Sequence, residues 1–273
     1  MKSIKMFLSI IICMLFVLVA PKTAKAAESG SYSYDIVDGK AVITHYNSDP
    51  MSNGRITIPD TLDGYQVTAI GKSSFAYCGD ITKVIIPKGV TSIGDSAFSD
   101  CRYLTGVDIP ESVTSIGNFA FSGCRFLSSV TMTDSGLITI GQRAFESCYT
   151  LTSIKIPLSV KNIGYGAFRF SSISGIVLPE GITSIEANTF EGCSSLKTVT
   201  IPKSVTIIKT AAFAGCRSLE NIIANPMIAP ATETDAFRNV PSTATLTLQK
   251  KASGYNKLPW KQWVKKSLIF FTN

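Results

Sequence analysis

Apolar side chains recur along this chain in blocks of nearly constant length, and each block closes with a phenylalanine. Successive closing phenylalanines lie 22 to 24 residues apart. They occupy eight positions: Phe75, Phe98, Phe121, Phe145, Phe168, Phe190, Phe213 and Phe237. A period in the twenties with apolar residues at fixed offsets predicts a solenoid, in which each coil stacks on the one before it.

Each block contains two short alternating segments, which predict two strands per coil. In the clearest copy, Leu104–Pro110 alternates β-branched residues with polar ones, and its proline ends the strand. A second alternating segment, Val113–Ile116, precedes Gly117, for which a turn at positive φ is expected. The first segment recurs as Ile81–Pro87, Leu104–Pro110, Leu151–Pro157, Ile173–Pro179 and Leu196–Pro202. The predicted fold class is a mainly-β repeat solenoid with ladders of phenylalanine, isoleucine and Leu/Ile about 4.8 Å apart.

Two coils depart from the common length, and both changes fall at predicted turns. The coil that ends at Phe145 carries one extra residue within Met132–Gly136. The coil that ends at Phe190 has one residue fewer at Ser171–Ile173. Because loops absorb such changes more easily than ladders do, these irregularities support the phasing of the repeat.

The first 26 residues are expected to be removed before the chain folds. A basic start at Met1–Lys5 precedes an apolar run at Met6–Ala20, and Ala24–Ala26 has the A-x-A pattern of a secretory cleavage site. The alternative is an uncleaved membrane anchor, but the run is shorter than the roughly 18 to 20 residues that a spanning helix needs. No later segment is long and apolar enough to cross a membrane.

The two ends of the repeat region have different patterns. Tyr34–Ile43 consists of two alternating runs around Asp38-Gly39, which is a strong hairpin signal. Thr245–Leu248 predicts a last strand. The predicted division is a signal peptide at 1–26, an N-terminal cap hairpin at 27–55, a repeat solenoid at 56–248 and a basic, aromatic C-terminal cap at 249–273.

Charge is distributed unevenly along the chain. Loss of the four lysines in the first 26 residues lowers the formal net charge from +7 to +3. Residues 27–235 carry 15 basic and 19 acidic residues, whereas 236–273 carries seven basic residues and no acidic one. This asymmetry is typical of a tail that meets an anionic surface, and equally of a solvated terminal segment whose lysines maintain solubility.

The six cysteines after the signal peptide all occupy the same repeat position, three residues after a closing phenylalanine. They are Cys78, Cys101, Cys124, Cys148, Cys193 and Cys216. The fifth coil has Ser171 at that position and the eighth has Val240, which favours a slot for a small buried side chain. Free buried thiols are therefore expected, and a ladder of disulfides is the alternative because stacked coils bring cysteines within bonding range.

No catalytic grouping, cofactor motif or metal motif is recognisable. His45 is the sole histidine, and no Gly-x-Ser-x-Gly elbow or glycine-rich phosphate loop accompanies it. The carboxylates are spread over different repeat positions, of which Asp108 and Glu111 come nearest to a pair. We therefore expect no enzyme and no cofactor.

The repeated block Ile-Gly-x-x-Ala-Phe-x-x-Cys-x-x-Leu-x-x-Val-x-Ile-Pro resembles the BspA-like leucine-rich repeats of bacterial surface proteins, over about residues 56–248. The resemblance implies a curved solenoid in a secreted or surface-exposed protein that acts as an adhesin or binds host proteins. It also implies that Tyr255, Trp260 and Trp263 belong to an aromatic capping segment. The coils lack the asparagine of the standard leucine-rich repeat, so its asparagine ladder is not expected.

The outward positions of the Leu-x-x-Val-x-Ile segments form a flat, hydroxyl-rich surface, which suits an extended protein partner better than a small molecule. The candidate binding residues on the central coils are Thr105, Asp108, Ser129, Thr131, Ser153 and Lys155. The alternative function is an envelope-associated structural protein that contacts anionic cell-wall polymer or lipid through its end. The candidate contacts there are Lys250, Lys251, Lys261, Lys265 and Lys266, together with Trp260 and Trp263. Nucleic acid is not expected as a partner, because the coils are net acidic and lack stacking aromatics on this surface.

Overall fold

The computed structural model describes residues 26–47, 53–132 and 136–264. The predicted signal peptide therefore lies, except for Ala26, outside the described residues, as do Lys265 and Lys266 and the side chain of Trp263. The chain forms a mainly-β solenoid of about nine turns of about 23 residues, which confirms the predicted fold class. The elements in chain order are β1 (Ala26–Ser29), β2 (Tyr32–Val37), β3 (Lys40–Tyr46), β4 (Arg55–Thr57), β5 (Thr61–Leu62), β6 (Tyr65–Ile70), β7 (Lys83–Ile85), β8 (Ser92–Ile93), β9 (Gly106–Ile109), β10 (Ser115–Ile116), β11 (Ser129–Met132), β12 (Thr139–Ile140), β13 (Asn162–Ile163), β14 (Gly175–Val177), β15 (Ser184–Ile185), β16 (Thr198–Ile201), β17 (Ile207–Ile208), β18 (Asn221–Ala224), β19 (Ala231–Thr232), β20 (Thr245–Leu248) and α1 (Lys261–Val264).

The Leu-x-x-Val-x-Ile segments form one side of the solenoid, here called the Val-x-Ile face. Strands β4, β7, β9 and β11 pair in parallel on this face, and β14, β16, β18 and β20 form a second parallel group. The register places Val84, Val107 and Val130 opposite one another. Identical residues thus stack from coil to coil, which is why a short alternating segment suffices to form a strand here.

The second alternating segments form another side, here called the Ser-Ile face. Strands β6, β8, β10, β12 and β13 pair in parallel, and β15, β17 and β19 form a separate group. Ile70, Ile93, Ile116 and Ile140 lie in register and are buried.

The glycine after each of the early Ser-Ile strands has a different role from the predicted one. Gly94, Gly117, Gly141 and Gly164 do not adopt positive φ, so that expectation is wrong. A Cβ built on Gly117 would lie 2.5 Å from the carbonyl carbon of Gly94. Glycine is required here because successive backbones approach too closely for a side chain.

A short ladder of polar side chains follows these glycines. The backbone N–H of Asn118 donates to the Asp95 carboxylate at 2.7 Å, and the N–H of Gln142 donates to the side-chain oxygen of Asn118 at 2.8 Å. These two rungs satisfy turn donors from the neighbouring coil. They provide, at another repeat position, the kind of support that the missing asparagines would have given.

The turns that carry the closing phenylalanines form a third side, here called the phenylalanine edge. From Phe75 to Phe237 the rings stack on one another with centroids 4.9 to 5.6 Å apart. Each turn is also bonded to the next through the backbone; for example, the N–H of Phe98 donates to the carbonyl of Ala120 at 2.8 Å. Ring stacking of this kind adds about 0.5–1.5 kcal/mol per pair to the energy of burial.

Backbone strain is concentrated on the same edge, at the residues two before and two after each phenylalanine. Around Phe75, these are Ser73 (φ 54°) and Tyr77 (φ 62°), and both N–H groups donate to the next coil. The later coils place Phe119, Arg143 and Ala211 in the same region. Left-handed conformations cost about 1–2 kcal/mol per non-glycine residue, so the bonds between coils must offset this cost repeatedly.

The cysteine ladder runs beside the phenylalanine rings. All six of these cysteines are free, and five are buried. Each buried thiol donates to the carbonyl of a phenylalanine in the preceding coil, as the Cys101 Sγ does to Phe75 O at 2.9 Å. Burial raises the pKa of Cys193 to about 11 and that of Cys148 further still. The slot thus favours a small residue that donates a hydrogen bond, although Val240 in the eighth coil provides none.

The N-terminal segment extends the stack of aromatic rings. Strands β2 and β3 form the predicted hairpin, with Asp38 (φ 49°) and Gly39 (φ 73°) in the turn. β3 then pairs in parallel with β6, and the Tyr46 ring stacks on Phe75 with centroids 5.1 Å apart. That this hairpin acts as a cap stays a prediction, as do the predicted domain boundaries.

At the other end, Trp260 continues the ladder beyond Phe237. Its ring packs edge-on against Phe237 with centroids 5.2 Å apart, and its indole N–H donates to the carbonyl of Pro230 at 3.2 Å. Tyr255 packs against Trp260 and is also buried. Trp260 is 2% exposed, so the predicted contact between this residue and an envelope polymer is wrong.

One predicted strand is not formed. Leu151–Pro157 follows the alternating pattern of its neighbours but belongs to no sheet of the described residues. The coil before it has one residue more than the common length and the coil after it has one fewer. Leu151, Ile154 and Ile156 nevertheless keep the buried repeat positions of their neighbours, so the segment stays in phase with them although it forms no strand.

Candidate protein-binding site

Both strand faces are interrupted near the middle of the solenoid. On the Ser-Ile face, the N–H of Gly164 donates to Ile140 O at 2.9 Å, and the N–H of Lys209 donates to Ile185 O at 2.9 Å. Within the described part of the chain, no such bond joins Glu186 to Ile163. The missing hydrogen bond falls at Glu186, which is in the first coil to have a side chain at this repeat position; the coils before it have glycine there.

The change of residue type explains this break. The early coils have glycine at the position, whereas the later coils have Glu186, Lys209 and Glu233. The Cβ of Glu186 does not fit at the spacing that glycines permit, because a Cβ on Gly164 would already lie 2.6 Å from the Gln142 nitrogen. The later coils instead stack side chain on side chain, and Lys209 Nζ pairs with Glu186 Oε2 at 2.7 Å. Glycine packs on glycine in the early coils and side chain packs on side chain in the later ones, but a coil of the second kind does not form the backbone hydrogen bond with a coil of the first.

The Val-x-Ile face is interrupted at the same level. In the described residues, β11 pairs with β9 alone and β14 with β16 alone. Across the same ranges, no backbone hydrogen bond joins Ser153, Ile154 or Ile156 to either strand. The ladder resumes at the turn, where Ser174 N donates to Thr152 O at 2.9 Å.

The phenylalanine edge crosses this level without a break. Phe145 N donates to Ala167 O at 2.8 Å, and Phe168 N donates to Thr189 O at 2.9 Å. Arg169 adds an ionic clamp on the same edge: its Nε lies 2.7 Å from Glu191 and its Nη1 lies 3.4 Å from Glu146. The coils are therefore bonded to one another along the phenylalanine edge, whereas both strand faces lack backbone hydrogen bonds at this level.

Grooves lie along the openings. On the Val-x-Ile face, a cavity of 430 Å³ lies between 128–132 and 153–155, and a second of 440 Å³ lies between 154–158 and 175–179. The opening on the Ser-Ile face has a cavity of 380 Å³, bordered by Gln142, Tyr165 and Glu186. Cavities of 360 Å³ beside Met227 and 310 Å³ beside Gly192 lie elsewhere on the solenoid, so room for a ligand group is not confined to this level.

The structure brings most of the predicted binding residues to these openings. All six are exposed on the Val-x-Ile face: Thr105, Asp108, Ser129, Thr131, Ser153 and Lys155. Ser129, Thr131, Ser153 and Lys155 line the 430 Å³ groove. Thr105 and Asp108 lie one strand away, where the Thr105 hydroxyl donates to Thr82 O at 2.9 Å and Asp108 forms an exposed ion pair with Lys83 at 3.7 Å.

Sequence reasoning missed two exposed apolar residues on the second groove. Leu158 is 77% exposed and Val177 is 67% exposed, and both line the 440 Å³ cavity. Leu158 follows the proline of its coil, where the other coils have the charged residues Lys88, Glu111, Glu180 and Lys203. An apolar residue at a position that is otherwise charged is the signal that could have identified it.

An exposed aromatic pair outside the Val-x-Ile face was also missed. Tyr103 (56% exposed) and Phe126 (51% exposed) lie two residues after Cys101 and Cys124, and their rings stack with centroids 5.8 Å apart. Exposed aromatics are enriched at protein interfaces, so the pair supports a binding role for the neighbouring surface. Its repeat position could have been recognised from the sequence.

The C-terminal lysines are accessible in the described part. Lys250, Lys251 and Lys261 are exposed, and Lys257 is exposed beside them. Trp260 is buried in the stack of rings. The lysines of this segment are therefore accessible to an anionic surface, but Trp260 is not.

The described residues offer little for catalysis or metal binding. His45 is exposed on β3, and no group of three or more His, Cys, Asp or Glu residues in the described part could hold a metal ion. Within the same ranges, no helix has the length and apolar character needed to cross a bilayer.

The fold and the repeated contacts define a leucine-rich-repeat-like solenoid with an exposed β face. The family model described as "BspA type Leucine rich repeat region" matches six copies, over residues 68–197 and 183–258. This chain therefore belongs to the BspA-type leucine-rich repeat family, a family of protein-interaction modules.

Solved structures agree with this assignment. A leucine rich cell surface protein from Faecalibacterium prausnitzii is 25% identical, with 83% of this chain and 76% of that chain covered and a TM-score of 0.54. A leucine rich repeat protein from T. pallidum is 23% identical, with 91% of this chain and 100% of that chain covered and a TM-score of 0.53, and supports the fold alone. No sequence among the curated proteins matches this chain.

Proposed function

We propose that this protein is a secreted or cell-surface bacterial interaction module with adhesin-like activity, and that its Val-x-Ile face binds a protein on a host or neighbouring cell. The observation that carries the proposal is the groove lined by Ser129, Thr131, Ser153 and Lys155 on an exposed face. The predicted signal peptide and the cell-surface neighbour support the location.

The physical basis is a preorganised surface. The face is held by buried ladders on its inner side, so little conformational entropy is lost when a partner docks. Small hydroxyl side chains can donate or accept hydrogen bonds with an extended partner, and Lys155 adds a charged donor. The grooves supply depth on a surface that is otherwise flat.

The test is binding of purified residues 27–273 to fibronectin, fibrinogen, laminin and collagen, and to whole cells, at physiological salt. We expect saturable binding that Ser129→Arg and Ser153→Arg together weaken at least about tenfold. Thr114→Arg, an exposed threonine on the Ser-Ile face, is the matched control and leaves affinity unchanged. Unaltered binding by the double variant would show that the face is wrongly assigned.

A second function is supported by the exposed lysines of the C-terminal segment. We propose as the alternative an envelope-associated structural protein that contacts anionic cell-wall polymer through Lys250, Lys251, Lys257 and Lys261, and through Lys265 and Lys266. Its contact with the wall would be largely electrostatic and would weaken with salt.

The test of this alternative replaces these six lysines with glutamine and keeps Trp260. Truncation after residue 249 would remove a buried ring and confuse release with unfolding. We expect the glutamine variant to leave isolated cell wall at physiological salt, with an unchanged unfolding midpoint. Full retention on the wall would remove this alternative.

A further inference from the structure

Tyr103 and Phe126 form an exposed stack of rings that ends after two coils. The rings are nearly parallel, with an interplanar angle of 5° and centroids 5.8 Å apart, and about half of each side chain is exposed. The buried phenylalanine ladder, by contrast, continues from Phe75 to Phe237. Exposed aromatic side chains are enriched where a protein binds a partner, so the end of this short stack is a candidate contact point.

The next coil lacks a ring at the position that would continue the stack. It has Thr150 there, whose hydroxyl donates to the carbonyl of Arg125 at 3.2 Å and so lies beside Phe126. Threonine is too short to cover the side of the Phe126 ring that is turned away from Tyr103. Because stacked strands are about 4.8 Å apart, an aromatic ring placed above Thr150 would lie at stacking distance from Phe126.

The hydroxyl groups near this position are already engaged in bonds between coils, as that of Thr150 is. The Ser128 hydroxyl donates to Thr105 O at 3.2 Å. The Ser172 hydroxyl donates to Tyr149 O at 2.6 Å. A sugar ring needs several partners for its own hydroxyl groups, whereas an aromatic ring needs none. The surroundings therefore favour an aromatic side chain of a protein over a sugar.

Charge specifies what should flank that side chain. Arg125 is exposed next to Phe126 and forms no ion pair with any residue that the structure describes. Arg102, at the same repeat position one coil earlier, has Asp100 at 3.9 Å. In the coil before the stack, Asp80 occupies the repeat position of the two rings. A carboxylate is thus attracted to the Phe126 end of the stack and repelled from the other end.

Building on the proposed function, we infer that the protein partner docks an aromatic side chain, flanked by acidic residues, on the Phe126 ring. The docked ring lies above Thr150 as the third member of the exposed stack, and a flanking carboxylate pairs with Arg125. Ser129 of the 430 Å³ groove follows Phe126 by three residues, so a partner on the Val-x-Ile face also reaches this position. Anchor side chains of this kind typically dominate the affinity of an interface.

The experiment is an NMR titration of the ²H,¹⁵N-labelled protein, residues 27–273, with the peptide acetyl-Gly-Glu-Tyr-Asp-Gly-amide up to millimolar concentration. We expect saturable shifts at the amides of Arg125, Phe126 and Thr150. A control peptide with leucine in place of tyrosine should bind at least about tenfold more weakly, because it cannot stack. Equal affinity for the two peptides, or no shift with either, would overturn the inference.

Two further titrations examine the other possible occupants. Trigalacturonate carries carboxylates on sugar rings, and tighter binding of this oligosaccharide than of the peptide at the same amides would overturn the inference in favour of an acidic sugar. Dilution of the protein alone should leave these amides unshifted. Shifts that depend on protein concentration would assign the position to a second copy of this chain and would overturn the inference as well.

Protein variants identify the stacking position itself. Thr150→Phe adds the missing ring from within the chain and should abolish peptide binding, and Phe126→Leu should weaken it at least about tenfold. Arg125→Gln should weaken it about two- to fivefold, as expected for an exposed ion pair. The control is Tyr77→Leu, which removes a 75% exposed ring at another repeat position and should leave binding unchanged. Wild-type affinity in Thr150→Phe, with an unchanged urea midpoint, would contradict the inference.

The same variants distinguish failure of this inference from failure of the proposed function. If a matrix protein binds through the Val-x-Ile face and the Thr150→Phe and Phe126→Leu variants retain that binding, the inference is wrong while the proposed function stands. If the peptide binds as described but no matrix protein or cell does, the adhesin proposal fails and the stacking position remains a site for acidic, aromatic segments.

Discussion

The phenylalanine edge and the two strand faces belong to the same coils but respond differently to irregularity. The edge keeps its rings and backbone bonds from Phe75 to Phe237. Both faces lose rungs at one level, beside 151–157 and between Ile163 and Ile185. A solenoid can therefore stay continuous along one edge while its faces lose backbone hydrogen bonds locally.

The difference follows from which residues repeat. The edge has a phenylalanine in every coil and a small residue in the cysteine slot. Each coil therefore packs against the same surface on the coil before it. The Ser-Ile face changes from glycine to Glu186, and the Val-x-Ile face passes between a longer and a shorter coil. Repeats thus concentrate stability where residues are invariant and leave room for a ligand where they vary.

The edge is most directly broken at Phe145, the last ring before the open level. Phe145→Ala should lower the free energy of unfolding by about 3–5 kcal/mol, because a fully buried ring and two stacking contacts are lost. Phe126→Ala, which removes a half-exposed ring with one stacking contact, should lower it by no more than about 1.5 kcal/mol. Urea titrations of both variants give the comparison, and similar losses would contradict the role assigned to the edge.

The close approach of the early coils is tested by adding a single methyl group. Gly117→Ala should destabilise the fold by about 1–3 kcal/mol, because its Cβ would lie 2.5 Å from the backbone of the preceding coil. Gly106→Ala is the control in the same coil, since its Cβ would meet no atom closer than 3.7 Å. Equal unfolding midpoints for the two variants would refute the spacing argument for the break at Glu186.

Alkaline pH should weaken the edge through its thiols. The pKa of Cys193 is about 11 in the fold because of burial, against roughly 8.5 for an unfolded thiol. The folded state keeps the proton that the unfolded state loses, so the stabilisation is complete below about pH 8.5 and declines as pH rises towards 11. Each buried thiol should contribute a slope of about 1.4 kcal/mol per pH unit in this window.

The measurement is the unfolding free energy at pH 7, 9 and 10 under reducing conditions. Cys193→Ser introduces the residue that the fifth coil already has at this repeat position, Ser171. The substitution removes one titrating thiol and should make the pH dependence shallower by that slope. An unchanged slope would mean that the buried thiols do not govern alkaline stability.

Much of this architecture could be predicted from the sequence, because the same pattern recurs in each coil and an irregular coil can be aligned with a regular one. The period located the stacked phenylalanines and both strand faces, and Asp38-Gly39 located the hairpin. The left-handed residues such as Phe119 were not predictable, since their strain is offset by bonds between coils that no local pattern reveals.

The candidate site was predictable in part. Counting outward positions placed Ser129, Thr131 and Ser153 on an exposed face. The groove was not foreseen, because it depends on the mismatch between coils and not on any residue of the face itself. Leu158 left a readable signal, an apolar residue at a position that is charged elsewhere.

Native-state hydrogen exchange compares the phenylalanine edge and the two strand faces within one molecule. We expect slow exchange at the amides of Phe145 and Phe168, which are bonded to the next coil, and fast exchange at Ile154, Ile156 and Glu186. Equal protection of both sets would show that the faces are as continuous as the edge, and would remove the basis for a groove at this level.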